Sequence, residues 1–385
     1  MRLAMQAAEL DALVLRLPEN VLLLSGFWPM IGATTLVFAA DGVSAAIIPD
    51  SFEAEAAPSL WEAEPIYYRF GVLDAPNPVE SVRGALMGLF NEHRWKRIGY
   101  EGSFSSFAPS WQSGEILAPT EQTRDFYQSA FRSAELVDAT GLIQSERRTK
   151  TAWETDKLRI ASEISRLGLE AFRQAVEPGV SGVELVALVE SAIMAKGAGY
   201  RDSVRVRGYA QVATGAKESS IAYRMHEIST TRRLQNGDVA ILELGVVADG
   251  FWADRTRVRI AGEPSLQQLR IADTLARAQK AACEAIRPGA TGAVVDEAGR
   301  SIIRDAGFES YFPHITGHGL GFAYHESSPL LAPGSADVLE PGMLMSVEPG
   351  IYTADHGGFR IEDDVLVTDD GYEVLGSFPT SVIDA

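Results

Sequence analysis

The sequence predicts an α/β domain over residues 1–147 followed by an α+β domain over 148–385 that is built from two similar halves. Three observations carry this reading. Short β-branched runs alternate with helical patterns through the first domain, a basic polar stretch leads into a capped long helix near residue 150, and a weak internal repeat recurs at an offset of 110 residues.

The strand-like runs of the first domain are "ALVLRL", "TTLVFAA", "AAIIP", "PIYYRF" and "RIGYEG", with a helix predicted over "PVESVRGALMGLFNEH" before the last of them. The chain then changes character in "GLIQSERRTKTAWETDKLRIASEI". Here Thr151 and Glu154 have the spacing of a capping box at the start of a long helix, which puts the domain boundary near 146–150. In the repeat, Pro178, Gly179, Gly182 and Gly197 recur as Pro288, Gly289, Gly292 and Gly307, and Ile193 recurs as Ile303. Each copy reads as a helix end, a Pro-Gly turn and a second helix ending at glycine. One pair of copies is too few for a solenoid. It predicts two αβ halves about a pseudo-twofold axis, with a site at their junction. The strands that follow each copy are "SVRVRGYAQVATG", "GDVAILELGVV" and "GFWADRTRVRIAG", then "MLMSVEPGIY" and "FRIEDDVLVT".

Composition limits the function classes. A chain of 385 residues with 46% hydrophobic and 22% charged residues is a folded globular protein of two or three domains. Its formal net charge of -18 repels phosphate backbones and anionic lipid surfaces, which argues against nucleic-acid and membrane partners. The single cysteine, Cys283, lies in a helical pattern and reads as a buried, inert thiol. The N-terminus lacks the pattern of a cleaved leader, and no stretch reaches the roughly 18 apolar residues that a membrane span needs. A cytoplasmic protein is expected.

The chemistry is concentrated in the second domain. If Asp249-Gly250 is the two-residue loop of a hairpin, Gly245 faces Asp254 and Glu243 lies two residues along on the same face. The two carboxylates are then diagonal neighbours, and such a pair in an apolar setting calls for a cation between them. A solvent-facing strand with scattered acids is the plainer alternative for this segment alone. Elsewhere "TGHGLGFAYHESSPLL" supplies His318 and His325 among glycines, "SVEPGIY" puts Glu348 at the end of an apolar strand, and "FRIEDDVLV" puts Glu362 within another, with Arg360 on its face. Four carboxylates and one imidazole suit a hard or borderline divalent ion, Mn²⁺ first, with Co²⁺ or Zn²⁺ as alternatives. They exceed what one ion needs and point to two ions about 3.5–4 Å apart. Amide hydrolysis is the simplest use of such a pair.

At these residues the sequence resembles the pita-bread metallopeptidases: Xaa-Pro aminopeptidase, prolidase, methionine aminopeptidase and their relative creatinase. "LDALVLRLPENVLLLSGF" resembles the start of a creatinase-type N-terminal domain. "DGFWADRTR", "TGHGLG", "SVEPGIY" and "RIEDDV" resemble the catalytic motifs. The resemblance implies metal ligands at Glu243, Asp254, His318, Glu348 and Glu362. Asp254 and Glu362 would bridge two ions, Glu243 would hold one, and His318 with Glu348 the other. It also implies that Glu348 takes the proton of the attacking water, that His226 contacts the scissile carbonyl, and that His325 faces the substrate. Three positions depart from the family's pattern: Glu243 stands where these enzymes have aspartate, the segment before His226 is longer, and serine replaces the first proline of "HESSP".

Hydrolysis of Xaa-Pro bonds in peptides or dipeptides is the function this implies, with a small peptide as substrate and a homodimer as the assembly. The competing reading is a creatinase- or ectoine-hydrolase-like amidohydrolase that acts on a small non-peptide amide with altered or absent metal. A third, a catalytically inactive binding module, would lose oxygen donors, whereas Glu243 preserves one.

Overall fold

Runs of β-branched and apolar residues form the six strands of the first unit in this computed structural model, which describes residues 1–29, 33–103, 120–224 and 229–382. The strands are β1 (Ala12–Leu15), β2 (Thr35–Ala39), β3 (Ser44–Pro49), β4 (Glu64–Tyr68), β5 (Arg97–Tyr100) and β6 (Glu135–Asp138). They make one mixed sheet in the order β4-β3-β2-β1-β5-β6, with β1 parallel to β5 and antiparallel to β2. Side chains alternate between its two faces, as a period of two requires. Ala12, Val14 and Val37 pack with Val82, Leu86 and Phe90, while Leu13, Leu15, Leu36 and Phe38 pack with Met5, Val21 and Leu24 on the other side. Helices α1 (Arg2–Ala7), α2 (Pro18–Ser25), α3 (Glu53–Ser59), α4 (Pro78–His93), α5 (Glu121–Ala130) and α6 (Thr140–Arg148) cover those faces. The start of α4 combines an Asn77 side-chain cap with Pro78 in the first turn, where a missing N–H costs nothing.

The described chain divides into two compact units, Met1–Arg147 and Arg148–Ala385. The second opens with α7 (Ala152–Ala175), whose capping box closes as Glu154 N–H donates to Thr151 Oγ1 and Thr151 N–H to Glu154 Oε2. Helix α8 (Gly182–Gly197) follows, then strand β7 (Val206–Thr214), the short helix α9 (Gly215–Ser219), β8 (Val239–Ala248) and β9 (Phe251–Ile260). Ile160, Ile164 and Phe172 of α7 and Val189 and Ile193 of α8 pack against Leu242, Leu244 and Val246 on one face of β8. Glu243 and Gly245 therefore point to the opposite face.

The second copy supplies α10 (Leu266–Ala285), α11 (Gly292–Asp305) and strands β10 (Gly317–Gly319), β11 (Glu326–Leu331), β12 (Leu344–Val347), β13 (Gly350–Thr353), β14 (Gly357–Arg360), β15 (Asp363–Val367) and β16 (Tyr372–Val374). Five of these strands pair in the order β11-β10-β12-β15-β16, while β13 and β14 form a separate hairpin. Cys283 is buried on α10, and that burial pushes its thiol well above the ordinary range. The repeat extends to backbone pairing. Gly179 N–H donates to Leu234 C=O and Leu234 N–H to Val180 C=O in the first copy, as Gly289 does to Leu339 and Leu339 to Ala290 in the second.

Two strands expected to be continuous are broken. "MLMSVEPGIY" divides into β12 and β13 at Glu348-Pro349, where proline has no N–H for a ladder. "FRIEDDVLVT" divides into β14 and β15, because Glu362 leaves the ladder to make a single bridge with Thr256 of β9.

Candidate metal centre

The hairpin β8–β9 has the register that its sequence predicts: Ala248 pairs with Phe251, Gly245 with Asp254 and Glu243 with Thr256. Asp249 (φ 49°) and Gly250 (φ 93°) both lie in the left-handed region that a tight two-residue turn requires. Strand β7 adds Tyr209 opposite Gly245 and Gln211 opposite Glu243. One face of this three-stranded sheet thus carries Tyr209, Gln211, Glu243, Gly245, Asp254 and Thr256.

The second half brings its donors to this face. His318 is the middle residue of β10 and is flanked by glycines whose backbones run against neighbouring strands; a Cβ on Gly317 would lie 1.9 Å from the Ser346 carbonyl oxygen. These glycines serve strand packing as well as any ligand. Glu348 follows β12, and Glu362 reaches β9 through its bridge to Thr256. Three donor groups result: Glu243, Asp254 and Glu362; His318, Glu348 and Glu362; and Asp254, His318 and His325. Within each, the ligand atoms lie within 4.8 Å of one another. His226 lies outside the described residues.

The electrostatics of this cluster follow from burial. Asp254 and Glu362 are each 1% exposed, and burial together with the neighbouring carboxylates raises both well above the ordinary carboxylate range. Burial also pushes Glu348 up to about 8. Glu243 differs: burial opposes its charge, but the Arg360 guanidinium beside it, with Thr256 and Tyr324 donating, holds it below the ordinary range. His318 is driven down to about 3 by burial and is therefore neutral. Its Nδ1 lies 2.9 Å from the Gly319 carbonyl oxygen, so Nδ1 carries the proton. Nε2 then presents its lone pair to Asp254 Oδ2 at 3.6 Å and Glu348 Oε1 at 3.5 Å. Ionising all four carboxylates against the one guanidinium would leave negative charge unbalanced, which is why Asp254, Glu348 and Glu362 hold their protons when no cation is bound. Oxygen donors with one neutral imidazole fit a hard or borderline divalent cation.

Several residues that hold these donors carried little or no sequence signal. Thr256 Oγ1 lies 2.7 Å from Glu243 Oε2 and 2.6 Å from Glu362 Oε2, and the hairpin register alone would have placed it there. Arg360 donates to the same Glu243 oxygen and, at 2.8 Å, to the Tyr352 hydroxyl. That hydroxyl lies 3.0 Å from His314 Nε2, so a chain of hydrogen bonds runs from Arg360 through Tyr352 to His314. The Tyr324 hydroxyl lies 2.8 Å from both Glu243 Oε1 and Asp254 Oδ1. His325 is half-buried, its ring centroid 4.4 Å from that of His318.

Comparison with known proteins places this geometry. Residues 156–369 match the profile of metallopeptidase family M24, and residues 1–149 match that of the creatinase/prolidase N-terminal domain. YkvY of Bacillus subtilis (strain 168), which carries a dipeptidase's name, is 33% identical over 250 residues, or 65% of this chain and 66% of YkvY's own length. An Xaa-Pro dipeptidase from Bacillus anthracis superposes with a TM-score of 0.81 at 27% identity, covering 99% of this chain and 97% of that one. The prolidase from Pyrococcus furiosus gives 0.78 at 26% identity, covering 98% and 100%. With a creatinase-type N-terminal domain and a pita-bread catalytic domain, the chain belongs to the metal-dependent metallopeptidase family M24.

Proposed function

We propose that this chain is a dinuclear metal-dependent peptidase that hydrolyses the Xaa-Pro bond of peptides or dipeptides. The observation that carries the reading is the set of buried Glu243, Asp254, His318 and Glu362 with half-buried Glu348, gathered from both halves of the second unit with their ligand atoms within reach of common ions. The structural likeness to the B. anthracis Xaa-Pro dipeptidase and the P. furiosus prolidase supports the Xaa-Pro preference.

In this reading Glu243, Asp254, His318, Glu348 and Glu362 would together hold two ions, with Mn²⁺ the best match to the donor set. Bound divalent ions supply Lewis acidity, which acidifies water and polarises a carbonyl. The chain's own residues do the rest. Glu348 is the general base: as a carboxylate at the edge of the ligand set it would accept a proton from the attacking water and deliver it to the leaving amine. Thr256 and Arg360 fix the carboxylates in place before substrate arrives. His325 beside His318 faces the substrate, and His226 stabilises the developing charge on the carbonyl oxygen. A homodimer accompanies this reading.

The test is elemental analysis of chelator-free protein before and after incubation with Mn²⁺, paired with hydrolysis of Ala-Pro against Ala-Ala. About two ions per chain and a preference for Ala-Pro are expected. Absence of bound ions after Mn²⁺ incubation would overturn it and favour a small non-peptide amide as substrate, while equal hydrolysis of Ala-Pro and Ala-Ala would overturn the Xaa-Pro preference.

A further inference from the structure

Tyr324 lies at the centre of the ligand cluster, and nothing in the proposed chemistry uses it. It is 1% exposed, and its ring is held on three sides. The Trp252 ring packs at 5.5 Å and 61°, the His325 ring at 4.7 Å and 81°, and Gly245 lies beneath, where a Cβ would come within 2.8 Å of Tyr324 Cε2. This clamp aims one hydroxyl proton at two acceptors, Glu243 Oε1 and Asp254 Oδ1, each 2.8 Å away. The other oxygen of Glu243 accepts from Thr256 and from Arg360.

We propose that Tyr324 is a positioning residue that makes the Glu243–Asp254 side the weaker of the centre's two metal positions, its hydroxyl competing with a divalent ion for those two carboxylate oxygens. The inference rests on the dinuclear reading above. A small divalent ion shared by Glu243 Oε1 and Asp254 Oδ1 would sit about 2.1 Å from each, in the space the phenol's proton occupies. The phenol must then give up its hydrogen bonds while its ring is clamped. The opposite side of Asp254 differs. There His318 Nε2 lies 3.6 Å from Asp254 Oδ2 and 3.5 Å from Glu348 Oε1, and the His318 proton is already committed to the Gly319 carbonyl. Asp254 therefore straddles two unlike positions, one opposed by a phenol and one facing an imidazole lone pair.

The experiment is a Mn²⁺ titration of the chelator-stripped, full-length chain, with free Mn²⁺ read by its paramagnetic resonance signal, on wild type and Tyr324→Phe. Wild type should show two classes of site. In Tyr324→Phe the weaker class should tighten by about tenfold or more, the equivalent of losing one charge-assisted hydrogen bond, while the tighter class stays within about threefold of wild type. Should Tyr324→Phe fail to fold, Tyr324→Leu carries the same expectation. An unmoved weaker class, or two equal classes in wild type, overturns the proposal and leaves the dinuclear centre standing. A weaker class that loosens overturns it too, because the phenol would then be a ligand rather than a competitor. No Mn²⁺ bound by wild type brings down both readings.

Discussion

Replacing Lys150 with methionine should destabilise the second unit more than any surface substitution. Lys150 Nζ lies 3.0 Å from Glu326 Oε2, with side-chain exposures of 0% and 4%. The remaining carboxylate oxygen accepts from the Phe322 backbone N–H, so the pair ties the start of the second unit to the turn that carries His325. At this separation and an effective dielectric constant of about 20, the Coulomb attraction is roughly 5 kcal/mol. Removing one partner of a buried pair typically costs about 3–5 kcal/mol. For a domain of this size that lowers Tm by roughly 10 °C. Glu326→Gln keeps an acceptor for Phe322 but strands the ammonium, and should cost about as much. The double variant leaves neither charge and should recover at least about 2 kcal/mol of the summed loss. Thermal and urea unfolding of the four proteins at pH 7 measures the cycle. Additive losses, with coupling below about 0.5 kcal/mol, would refute the reasoning.

Four further outcomes follow from the same interactions. Asp254→Ala should abolish peptide hydrolysis and lower the ion content seen by elemental analysis. Without chelated metal it should melt no lower than wild type, since one buried carboxylate is gone from a crowded cluster. The metal-free protein should lose stability as pH rises. Asp254, Glu348 and Glu362 all titrate higher folded than unfolded, so the stability each lends is full below the ordinary carboxylate range and is lost as pH rises through its own folded value, about 8 for Glu348. Melting scans from pH 5.5 to 9 with chelator should show that slope, and Mn²⁺ should flatten it. Gly245→Ala should displace Tyr324, costing about 1–3 kcal/mol of overpacking and altering Mn²⁺ affinity in titrations. Asp363→Ala would leave Arg255 and Arg257, both buried and both 2.6 Å from Asp363 Oδ1, without that countercharge; unfolding should show a loss of at least about 3 kcal/mol.

Most of what positions the centre is written locally in the chain. The Asp-Gly turn fixes the register of β8–β9 and hence the diagonal placement of Glu243 and Asp254. The Thr151–Glu154 box marks the start of α7, and the repeated Pro-Gly turns mark both helix pairs. What local pattern does not contain is the contact between distant segments. Tyr324 meets Glu243 and Asp254 across 81 and 70 residues, and an aromatic in an apolar stretch reads as core. The break at Glu362 is likewise tertiary: a β-branched and apolar neighbourhood predicts an unbroken strand, and only the bridge to Thr256 explains the interruption. Arg360 was visible as a same-face neighbour of Glu362, but its main partner is Glu243, which belongs to the other half.

The division of the catalytic unit into two halves has a consequence for how the protein is made. On the proposed ligand set, the first half carries Glu243 and Asp254 and the second carries His318, Glu348 and Glu362. A nascent chain that has completed only its first half holds two carboxylates, too few to capture an ion prematurely. An ion held by that set would act as a clasp that closes only on a finished product, and a chelator would loosen the seam rather than melt either half. Metal affinity in this architecture is also a gauge of assembly, one that registers faults far from the substrate wherever they disturb the join.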